Sequence, residues 1–85
     1  MGRYKIVFSR PVAKDFKNIP RADARRVLAA IERLAEEPRP RGAKKLSGQE
    51  RYRIRQGNLR ILYAIDDGTL IITVVRVRNR RDVYR

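Results

Sequence analysis

Arginine and tyrosine are the side chains with which this sequence could do chemistry, and their spacing places most of them on strands. Residue types alternate through Arg51, Tyr52, Arg53, Ile54 and Arg55. In an extended chain the three guanidiniums therefore share one face, and Tyr52 and Ile54 share the other. Gln56-Gly57-Asn58 is a turn signal, because glycine adopts positive φ freely and asparagine tolerates it. The chain then returns from Leu59 to Asp66, with Leu59, Ile61, Tyr63 and Ile65 on one face and Arg60, Leu62 and Ala64 on the other. A tight register brings Arg60 beside Arg53 and Arg55. Like charges on adjacent strands repel, and a polyanion would neutralise them. The plain alternative is an exposed sheet face solvated by water.

A guanidinium is a planar fork that matches phosphate bidentately. Fixed on a sheet, it favours a transition state in which negative charge builds on phosphoryl oxygens. RNA cleavage, in which a ribose 2′-oxygen attacks the adjacent phosphate, has such a transition state. A tyrosine whose pKa is lowered by nearby guanidiniums would polarise or deprotonate the 2′-hydroxyl. Tyr84, between Asp82 and Arg85 in a segment with no core pattern, is the candidate, and a terminal aromatic packed on the sheet edge is the alternative. Tyr4, Tyr52 and Tyr63 fall on apolar strand faces and read as core.

Composition narrows the field further. The chain has no cysteine and no histidine, which argues against disulfides, against a zinc or haem site, and against conventional acid–base catalysis near pH 7. No metal and no cofactor are expected. Asp66 and Asp67 occupy a turn, Ser9 and Ser47 have no activating neighbour in sequence, and phosphate-loop and dinucleotide fingerprints are absent. Twenty-two Lys and Arg against nine Asp and Glu give a net charge of +13 and a pI near 11.4. That balance calls for a polyanionic partner, nucleic acid first and an acidic protein next. A membrane surface fits less well, since the basic density lies on strands rather than on an amphipathic helix. No signal-peptide stretch or membrane span is found, so the cytoplasm is the default location.

The elements that must position these residues are legible from periodicity. Arg3 to Ser9 reads as a strand with Tyr4, Ile6 and Phe8 on one face. Ser9-Arg10-Pro11 reads as a helix start with serine as the cap. Val12, Phe16 and Ile19 form the apolar face of that short helix, Lys14, Asp15, Lys17 and Asn18 its wet side, and Pro20 ends it. Ala22 to Glu37 is a second helix with Val27, Leu28, Ile31, Leu34 and Ala35 as its stripe. Pro38 stops it. Pro38-Arg39-Pro40-Arg41-Gly42, with Lys44 and Lys45, is either a solvated connector or a phosphate-contacting arm. After the two arginine-bearing strands, Asp66-Asp67-Gly68 signals a hairpin turn. Leu70 to Arg78 is the last strand, apolar enough at first to lie centrally, and a polar tail runs from Asn79 to Arg85. The expected architecture is a single α+β domain over residues 1–85: an N-terminal strand, a helical hairpin, then a three-stranded antiparallel meander, with the helices on one sheet face and the arginines on the other.

Lys45-Leu46-Ser47-Gly48, Tyr52-Arg53-Ile54-Arg55, Leu59-Arg60-Ile61-Leu62-Tyr63, and the run from Arg76 to Arg85 that closes in Arg-Arg-Asp-Val-Tyr-Arg together resemble the RelE/ParE toxin superfamily, and specifically its RelE-like branch. The resemblance covers nearly the whole chain and implies the same fold. It implies a toxin of a type II toxin–antitoxin system, a ribosome-dependent endoribonuclease that cuts messenger RNA in the ribosomal A site and is held inactive by a cognate antitoxin. It assigns Arg53 and Arg55 to the scissile phosphate region, Arg60 to the phosphate-stabilising arginine, Arg80 to the family's catalytic-site arginine beyond the last strand, and Tyr84 to the C-terminal catalytic tyrosine. Lys44, Lys45, Arg51, Arg76, Arg78 and Arg81 are the further RNA-binding candidates. Three positions depart from the pattern: Ser47 stands where some members carry a basic residue, and Arg78 and Asn79 replace a Gly-His or Gly-Lys pair. ParE-like relatives share the fold and bind DNA gyrase without cutting RNA, which is one competing expectation; a catalytically inactive family member is the other.

Overall fold

A computed structural model describes residues 3–46 and 51–79. The elements run β1 (Lys5–Phe8), α1 (Arg10–Lys17), α2 (Arg21–Leu34), β2 (Lys44–Lys45), β3 (Arg51–Gln56), β4 (Leu59–Asp66) and β5 (Ile71–Asn79). The strands form one sheet in the order β1-β5-β4-β3-β2. β1 runs parallel to β5, and every other pair is antiparallel. Two helices cover one face of this α+β sheet, as the periodicity required. The expected meander is β3, β4 and β5.

The core lies between the helices and that face. Val12 of α1 and Val27, Ala30, Ile31 and Leu34 of α2 meet Tyr52, Ile54, Leu59, Ile61, Tyr63, Ile65, Ile72, Val74 and Val77 of the sheet. Tyr4, Ile6, Phe16 and Ile19 pack against this cluster only partly buried. Leu28 was expected in the stripe but is 41% exposed, with Ala30 in its place. α2 also stops at Leu34 rather than Glu37, because the chain turns before Pro38.

Four further differences have physical reasons. Phe8 is 46% exposed, since β1 is an edge strand and Phe8 lies in an open groove with Val12, Phe16 and Leu28. Ser9 sits at the N-cap of α1 but makes no side-chain cap bond. Its hydroxyl instead donates to the Val75 carbonyl at 2.7 Å. The β4–β5 connection is longer than a two-residue Asp-Gly turn: Asp66 pairs with Ile71, and the Asp66 carboxylate accepts from the amides of Gly68 and Thr69. Leu70 closes that loop with φ +58. Finally, β2 is an additional two-residue strand, and its lysines join the sheet only by pairing with Arg53 and Tyr52.

A bulge in β5 decides which way the late arginines point. Tyr63 pairs with Val74, while Leu62 pairs with Arg76, so Val75 is the extra residue. Before the bulge even-numbered residues face the core, Ile72 and Val74. After it Val77 does. Without that phase change Arg76 and Arg78 would turn toward the core. With it, they join the side of the sheet that carries Arg53, Arg55 and Arg60.

Candidate nucleic-acid interface

Register builds the basic face row by row. Arg55 pairs with Arg60, and Arg60 pairs in turn with Arg78, so three arginines stand abreast on three neighbouring strands. In the next row Lys44 pairs with Arg53, Arg53 with Leu62 and Leu62 with Arg76. Arg51 lies one row further on, opposite Ala64. The expected proximity of Arg60 is therefore resolved: Arg55 is its direct neighbour and Arg53 its diagonal one. Cross-strand partners of this kind have Cα atoms about 4.5–5.5 Å apart.

Burial is uneven across the rows. Arg51 and Arg55 are exposed, Arg53 and Arg78 half-buried, and Arg60 is 7% exposed. The Nε of Arg53 is buried and meets no hydrogen-bond acceptor among the described residues, an arrangement that costs free energy until an acceptor arrives. Beside it, a shallow cavity of about 260 Å³ is lined by Arg41, Gly42, Lys44, Arg53, Ile54 and Arg55. Among the described residues no carboxylate lines it.

Arg76 is placed differently. Its Nε and Nη2 donate to the Asp15 carboxylate at 2.9 Å each, and the Val77 amide donates to the same Oδ2 at 2.9 Å. β1 ends opposite Val74, so the outer edge of β5 is uncovered beyond that point. Asp15, reaching down from α1, supplies the acceptor that a neighbouring strand would have given. Its side chain is 10% exposed, not solvated as the helical spacing predicts. Burial pushes its pKa up, but the Arg76 guanidinium, the Val77 amide and the charge of Arg78 outweigh that and hold it below the usual carboxylate range. Arg76 is thus committed to the fold.

Sequence reasoning missed a second set of residues at the other end of the sheet. Arg39 donates from Nε to the Tyr52 hydroxyl at 3.1 Å and from Nη2 to Asp67 at 2.9 Å, and its guanidinium carbon lies 5.2 Å from the Tyr52 ring centroid. Tyr4 donates its hydroxyl to the same Asp67 carboxylate. The Arg39 and Tyr4 bonds hold Asp67 below the usual carboxylate range despite some desolvation. Tyr52 stacks on Tyr63 with centroids 5.8 Å apart, and the Tyr63 hydroxyl donates to the Pro38 carbonyl at 2.7 Å. Burial raises the Tyr63 pKa to about 12. No local pattern announces these hydrogen bonds, which join residues 13 to 63 positions apart. Arg80, Arg81 and Tyr84, together with Ser47, lie outside the described residues.

Comparison with known proteins places this geometry in a lineage. Residues 6–84 match the family model of the ParE toxin of the type II toxin–antitoxin system parDE. Toxin RelG of Mycobacterium tuberculosis is 31% identical over 90 residues, covering 96% of this chain and 97% of RelG. Among solved structures, the archaeal RelE–RelB complex from Pyrococcus horikoshii superposes with a TM-score of 0.79 at 26% identity, covering 92% of this chain and 96% of that one. The RelB–RelE antitoxin–toxin complex from Methanococcus jannaschii gives 0.73 at 29% identity, covering 92% and 94%. The chain belongs to the RelE/ParE superfamily and is a toxin of a type II toxin–antitoxin system.

Proposed function

We propose that this toxin is a ribosome-dependent endoribonuclease that cuts messenger RNA in the A site. The observation that carries the reading is the row of Arg55, Arg60 and Arg78, in register across three strands with Arg53 on the adjacent row. In the reaction the ribose 2′-oxygen forms a bond to phosphorus and the bond to the 5′-oxygen of the next nucleotide breaks, leaving a 2′,3′-cyclic phosphate and a 5′-hydroxyl whose proton comes from water. Charge grows on the non-bridging oxygens, and Arg53, Arg55 and Arg60 stabilise it without titrating. Tyr84 takes the 2′-hydroxyl proton and Arg80 assists at the phosphate, roles that rest on the family resemblance alone. Lys44, Arg51, Arg78 and Arg81 hold flanking RNA, whereas Lys45, expected among them, pairs with Tyr52 and so stands on the helix side of the sheet. The site of action is the cytoplasm, where ribosomes and message are.

The cognate partner is an antitoxin whose acidic or amphipathic segment covers the arginine face. Two of the solved relatives are RelE–RelB complexes, which supports that reading. A second reading has its own observation: the matched family model is that of the ParE toxin, so inhibition of DNA gyrase by binding is the alternative.

Primer extension on a translated message in a reconstituted reaction separates the two. In-frame cuts that require ribosomes and vanish in an Arg80→Ala/Tyr84→Phe double variant are expected. An intact message together with inhibited gyrase would transfer the assignment to the second reading.

A further inference from the structure

We propose that the Arg39–Asp67 clamp is a positioning device that presents Arg41 and Lys44 as a second phosphate-binding subsite, flanking the Arg53–Arg55 pair. The inference rests on the RNA-directed reading of the basic face. It concerns a backbone phosphate of single-stranded RNA next to the one that reacts.

Chain geometry carries the first half of the inference. The segment from Pro38 to Leu46 is fastened at four points. The Pro38 carbonyl accepts from Tyr63. Arg39 is held by the Tyr52 hydroxyl and by both Asp67 oxygens, at 2.9 and 3.4 Å. The Ala43 amide donates to the Pro40 carbonyl at 3.0 Å, closing a turn that Gly42 completes at φ +94. Lys44 and Lys45 then pair with β3, and the Leu46 amide donates to the Arg51 carbonyl at 2.8 Å. A loop of prolines and basic residues, mobile on its composition alone, is thereby fixed against the sheet.

Its cations are divided by role. Arg39 commits its Nε, Nη1 and Nη2 to Tyr52 and Asp67. Arg41, two residues on, lines the 260 Å³ cavity with Lys44, Arg53 and Arg55. Lys44 stands directly across from Arg53, a like-charge pair that is unfavourable without an anion between the two. The unpartnered Nε of Arg53 belongs to the same cluster. Among the described residues, four cations, a missing acceptor and no lining carboxylate define a site for one phosphate group.

The test is equilibrium binding of a labelled single-stranded RNA dodecamer with 2′-O-methyl riboses, which cannot be cut, followed by anisotropy from about 50 to about 300 mM potassium chloride. Each lost phosphate contact reduces the slope of log K against log salt by about 0.7. Arg41→Ala/Lys44→Ala is expected to lower the slope by about 0.7. Asp67→Asn is the decisive variant, because it removes a negative charge: a pure charge effect tightens binding, whereas release of the arm weakens it and lowers the slope. Arg39→Lys keeps the charge and loses the bidentate fork, so it is expected to weaken binding in the same way. An unchanged slope in Arg41→Ala/Lys44→Ala overturns the subsite. Binding as tight as wild type in both Asp67→Asn and Arg39→Lys overturns the positioning role. Failure of the wild-type chain to bind the oligomer at all overturns the subsite, whereas the ribosome-dependent reading stands or falls separately on the in-frame cuts of the primer-extension test.

Discussion

Asp15 is where a single residue decides both stability and the fate of an arginine. Its carboxylate takes one backbone amide and a two-pronged guanidinium at the uncovered edge of β5. Replacing it by alanine strands the Val77 amide and leaves Arg76 without its partner. Hydrogen bonds to charged groups contribute about 1.5–3 kcal/mol, so Asp15→Ala is expected to lower unfolding free energy by that amount in urea titrations. The pH dependence follows from the lowered pKa. The folded state holds the charged form more tightly than the unfolded chain does. The contribution is therefore complete above the ordinary aspartate value of about 3.9 and is lost as pH falls through the lower folded value. Wild type and Asp15→Asn should converge in stability only at strongly acid pH; convergence at neutral pH would show the pair to be inert. Tyr63 titrates in the opposite direction. Burial raises its pKa to about 12, so the unfolded chain loses that proton first and stability falls as pH rises above about 10. Tyr63→Phe is expected to flatten that alkaline slope.

At the scale of elements, two backbone features set the arginine rows. Gly57 opens the two-residue β3–β4 turn at φ +61, a conformation that costs an L side chain about 1–2 kcal/mol. Nothing lies near the position its Cβ would take. Gly57→Ala is therefore expected to lose about that much stability through strain alone, measured by thermal unfolding, with cleavage retained wherever the chain stays folded. Deleting Val75 is a harsher change, because it removes the bulge and turns Arg76 and Arg78 toward the core. That variant should fail to fold, whereas Val75→Ala should fold. β4 was legible to the residue, since strict alternation between two turn signals leaves one reading for Leu59–Asp66. The arginine face followed from the same alternation. The bulge left only a faint trace, a change of apolar phase between Val74 and Val77. β2 left none: Lys44-Lys45 has no apolar pattern, and it is a strand only because β3 offers an edge. Asp15–Arg76 and Arg39–Asp67 span 61 and 28 residues, beyond the reach of any local periodicity. Arg80 and Tyr84 stay where sequence left them, as expectations carried by resemblance.

For the whole molecule the governing quantity is a net charge of +13 on 85 residues, concentrated in rows of like charge on one sheet face. Such a surface opposes its own folding, and its stability should depend on which anion is present, not merely on ionic strength. A divalent oxyanion that bridges Arg53 and Arg55 binds the native state alone and stabilises it by mass action. At about ten times its Kd that amounts to about 1.4 kcal/mol, or several degrees in Tm for a chain of this length. Chloride at equal ionic strength screens the repulsion but bridges nothing. Sulfate also strengthens apolar burial generally by exclusion from protein surfaces, so the bare comparison of salts is insufficient. The informative quantity is the excess of sulfate over chloride in wild type compared with an Arg53→Gln/Arg55→Gln variant. We expect the excess to fall sharply in the variant, while its Tm in chloride rises because two repelling charges are gone. An excess of equal size in both proteins would mean that sulfate acts by exclusion, and that the arginine rows, though adjacent, do not gather a phosphate-like anion.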